Sequence, residues 1–398
     1  MKTKENKIHI GIFGRRNNGK SSFINAITGQ DIAIVSDIPG TTTDPVKKSL
    51  EIHGFGPVII IDTAGIDDVG ELGLKRIQKT HAILDQIDIA ILIVANSKFG
   101  EPERDIIKKF NDREIPYLLI YNKIDIDIPS KEFIAGVEKE TGEKVLLFSS
   151  KKPVIIDFIK ILLEKVPETS YNSNDLFYGI LKPKELVVLV TPIDSAVPEG
   201  RMILPQVQAI RNILDYNAIS IVCKETELEN VLKDYNIKPA LVVTDSQVFK
   251  YVDELVPQEI PLTSFSILLA RLKGNFEKYL EGTPKISELK NGDKILILES
   301  CTHHPTCEDI GRVKIPNLLR SFTGKELEFE IVSGFGEIPE NIDDYALLIQ
   351  CGGCMFTKKQ LANRLKKSID NNIPITNYGM AISYMTGVFE RAVKIFLK

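Results

Sequence analysis

Short apolar runs alternate with amphipathic stretches along the whole chain. In the first part, KIHIGIFG (7–14), PVIIIDTAG (57–65), IAILIVAN (89–96), PYLLIYNK (116–123) and KVLLFSS (144–150) have the length and β-branched content of strands. GKSSFINAIT (19–28) and RDIIKKFNDR (104–113) carry the period of helices between them. This alternation predicts an α/β domain with a mainly parallel sheet over 1–168. The segment SDIPGTTTDPVKK (36–48) is rich in Pro, Gly and Thr and reads as a loop.

VPETSYNS (166–173) is a polar break and reads as a linker, after which the alternation returns twice. A second α/β domain is expected over 174–265. Its strands are ELVVLVTP, AISIVCKE and ALVVTDS, and its helices LPQVQAIRNILDYN and QVFKYVDELV. It offers no cluster of His, Cys or paired acids, so packing or self-association is its expected role, through a free sheet edge or apolar patch. A third α/β domain, 266–398, opens with the helical SILLARLKGNFEKYLEG. KILILES, LEFEIVSG, YALLIQ and IPITNYG read as its strands, KKQLANRLKKSIDN and AISYMTGVFERAVKIF as its helices. The expected fold class is therefore α/β: one nucleotide-binding domain, then two further domains with mainly parallel sheets.

Composition narrows the class. Of 398 residues, 43% are hydrophobic and 26% charged, which excludes a disordered or fibrous chain. No run approaches the ~18 apolar residues of a membrane span, and the N-terminal segment has no signal-peptide core. A cytoplasmic protein without membrane contact is expected. Fifty basic residues against 54 acidic, a net charge of −4, argue against a nucleic-acid-coating protein. The five cysteines are odd in number, and Cys301, Cys307, Cys351 and Cys354 lie in the last quarter. Such clustering points to a metal or redox site sooner than to disulfides. Cys223, inside an apolar run, is expected to pack as a small core residue.

GRRNNGKSS follows the first strand and opens the first helix. Gly14, Gly19, Lys20 and Ser21 satisfy G-x-x-x-x-G-K-S, with Asn17, Asn18 and Ser22 in the same loop and turn. Glycine lets backbone N–H groups close around phosphate, Lys20 supplies a cation, and Ser21 a hydroxyl for magnesium. Asp62-Thr63-Ala64-Gly65 follows a strand: Asp62 can hold magnesium through water, and the Gly65 N–H can sense a γ-phosphate. Asn122-Lys123-Ile124-Asp125 follows another. A carboxylate at Asp125 can accept both donors of the guanine edge, which adenine lacks, and so selects GTP. Ser149-Ser150-Lys151, after KVLLF, resembles the Ser-Ala-Lys element that closes over the base in GTP-binding domains.

These four motifs, in this order, resemble the P-loop GTPases of the bacterial tRNA-modification and ribosome-assembly branch, with loops like GRPNAGKS and PGTTRD. The resemblance makes Thr42 the switch threonine that reaches magnesium, and Asn17 a ligand of an activating potassium. Thr43 replaces the usual arginine. Ile66 stands where Ras-like enzymes carry a catalytic glutamine, leaving hydrolysis to ions, to a nearby acid (Asp67, Asp68 or Glu71) or to a partner, with slow intrinsic turnover.

In the third domain, Cys301-Thr302-His303-His304 and Cys307-Glu308 follow one strand, and Cys351-Gly352-Gly353-Cys354 ends another. Loops at the carboxyl ends of parallel strands converge on one crevice, which Asn377 and Tyr378 are also placed to line. Thiolates there suit zinc or an iron–sulfur cluster. With the GTPase motifs, this constellation resembles the FeFe-hydrogenase maturation GTPases. Their cluster motif is C-x-H, about fifty residues, then H-C-x-x-C. The resemblance covers nearly the whole chain, with Gln350 in place of the second histidine. It implies a 4Fe–4S cluster on Cys301, Cys351 and Cys354. His303 is the family's candidate for the fourth iron, with His304, Cys307 and Glu308 as local alternatives. It further implies a homodimeric scaffold that carries a diiron precursor between two radical-SAM maturases and the apo-hydrogenase. The rival reading is a tRNA- or ribosome-linked GTPase with a C-terminal Cys/His zinc domain.

Overall fold

A computed structural model describes residues 7–29, 46–52, 54–63, 65–66, 83–166, 175–193, 202–300, 310–354 and 356–397. The chain divides into two compact units, 1–172 and 173–398.

The first unit holds strands β1 (Ile8–Gly14), β2 (Val46–Ile52), β3 (Gly56–Asp62), β4 (Ile89–Val94), β5 (Tyr117–Tyr121) and β6 (Val145–Leu147). Its helices are α1 (Lys20–Thr28), α2 (Glu101–Asp112), α3 (Lys131–Thr141) and α4 (Ile155–Lys165). The sheet order is β2-β3-β1-β4-β5-β6, and every pair is parallel except β2 with β3. β4 is buried at every position, as a central strand covered on both faces must be. Side chains alternate between two cores. Ile8, Ile10 and Ile12 pack with Phe23, Phe148 and Phe158, while Phe13 packs opposite with Phe110, Tyr117 and Tyr121. The expected loop over 36–48 gives way by Val46 to the edge strand β2, which pairs Lys48 with Ile60 and Leu50 with Val58. Its lysines suit a sheet edge, and they also hid it from apolar patterning.

The second unit carries two parallel four-stranded sheets. One, ordered β10-β9-β7-β8, comprises β7 (Leu186–Val190), β8 (Ile219–Cys223), β9 (Leu241–Thr244) and β10 (Leu262–Ser264). The other, ordered β12-β11-β13-β14, comprises β11 (Lys294–Leu298), β12 (Glu328–Val332), β13 (Tyr345–Gln350) and β14 (Ile375–Asn377). Helices α5 (Leu204–Asp215), α6 (Leu228–Lys233), α7 (Phe249–Leu255), α8 (Phe265–Lys273) and α9 (Phe276–Gly282) precede the second sheet. Helices α10 (Ile315–Thr323), α11 (Lys358–Asp370) and α12 (Tyr378–Met385) belong to it, and α13 (Phe389–Val393) packs against β10 of the first sheet, where Thr263 Oγ1 donates to the Ala392 carbonyl at 2.9 Å. One apolar core runs through both sheets, with Val188 and Val242 from the first and Leu296, Leu298 and Leu348 from the second. The final helical stretch is two helices, because Gly387 takes φ +82° between them. Arg391 of α13 then returns to the first sheet's connections, pairing with Asp253 at 2.7 Å and with the Ile260 carbonyl at 3.0 Å. Cys223 is only half-buried, since β8 is an edge strand, and the burial it has pushes its thiol up to about 11.

Candidate functional site

In the first unit, the ends of β1, β3, β5 and β6 bring the four GTPase motifs to one edge of the sheet. Gly14 has φ +148°, and a Cβ there would collide with the Ile93 carbonyl. The loop therefore runs against β4, and Asn18 fixes it there: its buried Nδ2 donates to the Ile93 carbonyl at 2.8 Å. Asn17 is exposed in a left-handed conformation, φ +64°. Gly19, φ +86°, precedes α1, and a Cβ on it would lie 2.5 Å from Asn122 Nδ2. Lys20 donates from Nζ to the carbonyls of Gly14 (3.0 Å) and Arg15 (3.1 Å), so its ammonium lies along the inside of the loop. Ser21 and Ser22 occupy the first turn of α1, half-buried and exposed respectively.

Asp62 ends β3 with its Oδ1 buried and without a hydrogen-bond partner. Burial raises its carboxyl pKa, an effect that Lys20 and Lys48 oppose. An orphaned buried carboxylate oxygen beside the P-loop lysine fits a site for magnesium and its waters. Thr63 Oγ1 donates to the Ile12 carbonyl (2.7 Å), and the Ile66 N–H to the Gly14 carbonyl (3.3 Å), which holds the Gly65–Ile66 turn against the loop. Thr42, Asp67, Asp68 and Glu71 lie outside the described residues.

The base-side motifs form one network. Asn122, wholly buried, donates from Nδ2 to the Asn18 carbonyl (3.1 Å) and accepts at Oδ1 from the Ser150 N–H (3.3 Å) and hydroxyl (3.0 Å). It thereby joins the P-loop to the last strand. Lys123, φ +68°, brings its Cε near Gly19. Asp125 accepts from Ser149 Oγ at 2.7 Å and faces Lys151 Nζ at 3.6 Å. The Ser149 hydrogen bond, foremost, holds its carboxyl below the usual carboxylate range. It is thus a ready anionic acceptor.

One pair was not legible in sequence. Arg15, in the loop, donates from Nε and Nη2 to the two oxygens of Glu103, each at 2.7 Å, and Glu103 also accepts the Gly100 N–H at 2.8 Å. Glu103 is fully buried. A glutamate in the first turn of GEPERD signals a helix cap; nothing in the sequence marks its partner 88 residues away.

In the second unit, Cys351 follows β13, its N–H bonded to the Leu298 carbonyl at 2.9 Å. Its sulfur meets the Ser300 N–H (3.1 Å), the Ser300 hydroxyl (2.8 Å) and Gln350 Nε2 (3.5 Å). Several donors converging on one sulfur suit a thiolate. Gln350 is wholly buried with Oε1 unpartnered. Cys354 is half-buried, and Gly353 between them has φ +67°, where a Cβ would strike Leu361. Cys301, His303, His304, Cys307 and Glu308 lie outside the described residues, whose last member before them, Ser300, sits on the Cys351 sulfur. Two soft thiols in a donor-rich turn fit a site for thiolate-bound iron or zinc. Asn377 serves as the cap of α12, accepting from the Gly379 N–H at 2.8 Å and from Ser266 Oγ at 3.1 Å. Arg364 is buried and donates to backbone carbonyls, including Glu299 (3.0 Å) and Val332 (3.2 Å), and burial lowers its pKa to about 10.

Residues 9–123 match the family model of the 50S ribosome-binding GTPase. Residues 176–274 match the hydrogen maturase F dimerization domain, and 277–395 the hydrogen maturase F tetramerization domain. Among curated proteins, the tRNA modification GTPase MnmE of Nitrosomonas europaea is 39% identical over 122 residues, 30% of this chain and 26% of that protein. The same-named protein of Hydrogenovibrio crunogenus is 37% identical over 188 residues, 46% and 40% of the two chains. The chain thus spans about a quarter to two fifths of the length of these relatives. A crystal structure of an Aquifex aeolicus Era variant bound to GDP and AlF4− is 24% identical, covering 41% of this chain and 58% of that one, with a TM-score of 0.36. The fold and its motifs define a P-loop GTPase domain followed by α/β oligomerisation domains. The two hydrogen maturase F models together take in more than half of the residues, and the chain belongs to the hydrogen maturase F family. Among the described residues no helix is long and apolar enough to cross a membrane.

Proposed function

We propose that the chain is a GTP-hydrolysing scaffold and carrier in the maturation of FeFe-hydrogenase. It binds a 4Fe–4S cluster and a diiron precursor, and delivers the diiron unit to the apo-enzyme. The observation that carries this reading is the joining, in one chain, of a GTPase domain to both hydrogen maturase F domains, the second of which contains the donor-rich Cys351–Cys354 turn. The reading divides the chain at 1–168, 174–265 and 266–398 into GTPase, dimerisation and cluster-binding parts, and places it in the cytoplasm.

On this reading, Gly14, Asn17, Asn18, Gly19, Lys20, Ser21 and Ser22 cradle the phosphates. Asn122, Lys123, Asp125, Ser149, Ser150 and Lys151 hold guanine. Ser21 and Thr42 hold magnesium directly, Asp62 holds it through water, and Asn17 serves potassium. When bound, magnesium neutralises charge on the phosphate oxygens. Lys20 releases the loop carbonyls to meet the β- and γ-phosphates, and the Gly65 N–H reports the γ-phosphate. With Ile66 unable to orient water by hydrogen bonding, turnover is slow and switch-like. Cys301, Cys351 and Cys354 hold the cluster, with His303 at the fourth iron. When bound, the cluster supplies the iron to which the diiron cargo attaches. Radical-SAM maturases and the apo-hydrogenase are the partners, and GTP state governs their association. The free edge of β8, with Ile219 and Val222 exposed, serves self-association.

The test is a maturation assay with purified apo-hydrogenase and maturases. Cys351→Ser should abolish hydrogenase activation while GTP hydrolysis continues. Lys20→Ala should abolish hydrolysis while iron stays bound. Normal activation by Cys301→Ser, Cys351→Ser and Cys354→Ser variants would refute the scaffold reading.

A further inference from the structure

Helix α8 lies under the Cys351–Cys354 turn. Ser266, Leu269 and Lys273 recur at i, i+3 and i+7, and so share one helix face. A Cβ at Gly352 would stand 3.6 Å from Leu269 Cδ1 and 3.8 Å from Ser266 Oγ. Cys354 packs on the core cluster that holds Phe265, Leu268, Leu269 and Leu272. Lys273, only 3% exposed, ends the stripe, and its Nζ reaches the carbonyls of Gly353 (3.2 Å), Cys354 (3.3 Å) and Phe356 (3.0 Å). An ammonium has three N–H donors, one for each of these carbonyls. A buried positive charge is therefore built into the turn, eighty residues away in sequence from the first carbonyl it holds.

We infer that Lys273 is the positioning residue of the Cys351–Cys354 turn and that its ammonium supplies the fixed positive charge that favours an anionic, thiolate-held iron–sulfur guest. The inference rests on the proposed reading of these cysteines as cluster ligands. A cluster on thiolates becomes more negative on reduction, and an opposite charge in a low-dielectric surround favours the reduced form. Helix α8 falls within the dimerization-domain match, 176–274, and the turn within the tetramerization-domain match, 277–395. The site thus draws on both family matches: 176–274 supplies the charge and the floor, 277–395 the sulfurs.

Full-length Lys273→Met and Lys273→Gln chains are compared with the parent after anaerobic reconstitution with ferrous iron and sulfide. Methionine takes the ammonium away from all three carbonyls; Gly353 keeps the Phe356 N–H at 3.1 Å, while Cys354 and Phe356 lose this donor. With these acceptors released, iron loss to a chelator should speed up at least about tenfold. At fixed potential the reduced-to-oxidised ratio should fall about tenfold, a midpoint shift of about 59 mV for one electron. Glutamine keeps two donors without the charge, so it should share the potential shift while holding iron better than methionine. Hydrogen exchange on the metal-free chains reads positioning directly: amides of 352–357 should exchange at least about tenfold faster in Lys273→Met, with β4 unchanged. If methionine unfolds the chain, the glutamine variant carries both measurements. A parent that takes up no iron, with a turn that still loosens in the variant, sinks the cluster reading and keeps the positioning role. Unchanged exchange together with unchanged iron release and potential overturns the inference.

Discussion

Replacing Arg15 by methionine isolates the bond between the phosphate loop and helix α2. Glu103 is fully buried and takes two charge-assisted hydrogen bonds from Arg15, each at 2.7 Å. Without them, among the described residues, a buried carboxylate keeps the Gly100 N–H. Breaking one side of a buried ion pair costs about 3–5 kcal/mol. The reverse change is milder, because the Arg15 side chain is 23% exposed and its guanidinium can turn to water. Glu103→Gln should therefore cost only about 1–2 kcal/mol. Arg15→Met with Glu103→Gln removes both charges and should recover part of the loss, with a coupling of about 2–3 kcal/mol. In a unit of this size about 1 kcal/mol corresponds to roughly 2–4 °C, so Arg15→Met should lower the melting point of the GTPase unit by about 6–20 °C. Thermal unfolding of the four proteins, each with and without GTP, measures the cycle. A loss below about 1 kcal/mol for Arg15→Met, or equal losses for the two single variants, would refute the reasoning.

Asp125→Asn should weaken GTP by at least about a hundredfold, and xanthosine triphosphate should recover part of that loss in a competition assay; equal affinity of the parent for ATP and GTP would count against the guanine assignment. Asp62 has a folded pKa above its unfolded value, so the metal-free unit loses stability as pH rises through that folded pKa. Asp62→Asn should accordingly raise the metal-free melting point at pH 7 but not below the unfolded carboxyl range, while slowing hydrolysis about a hundredfold. Ile219, 54% exposed on the edge strand β8, marks the expected self-association surface; Ile219→Lys should weaken the oligomer at least about tenfold in sedimentation equilibrium.

Strands buried on both faces were legible because a parallel sheet demands unbroken apolar runs, as IAILIV and YALLIQ show. The phosphate loop was legible because backbone closure around an anion needs glycine at fixed spacing, and Gly14 and Gly19 both take positive φ. Edge strand β2 was not, since solvent on one side lets lysines interrupt the pattern. Nor was the division of the last helical stretch, which Gly387 alone marks. The contacts that shape both sites were hidden for a different reason. Arg15 with Glu103, Asn122 with Asn18, and Lys273 with the Cys354 carbonyl are single pairs, 81 to 104 residues apart, that leave no local periodicity.

The central claim joins a thiolate-held iron–sulfur cluster to a GTPase in one chain. Iron, acid-labile sulfide and zinc per chain, measured after strictly anaerobic purification of the parent and of its Cys351→Ser and Cys354→Ser variants, test it most directly. The account predicts a brown parent with matched iron and sulfide, both much reduced in each variant. A colourless parent holding stoichiometric zinc, or variants that keep the parent's iron, would contradict it.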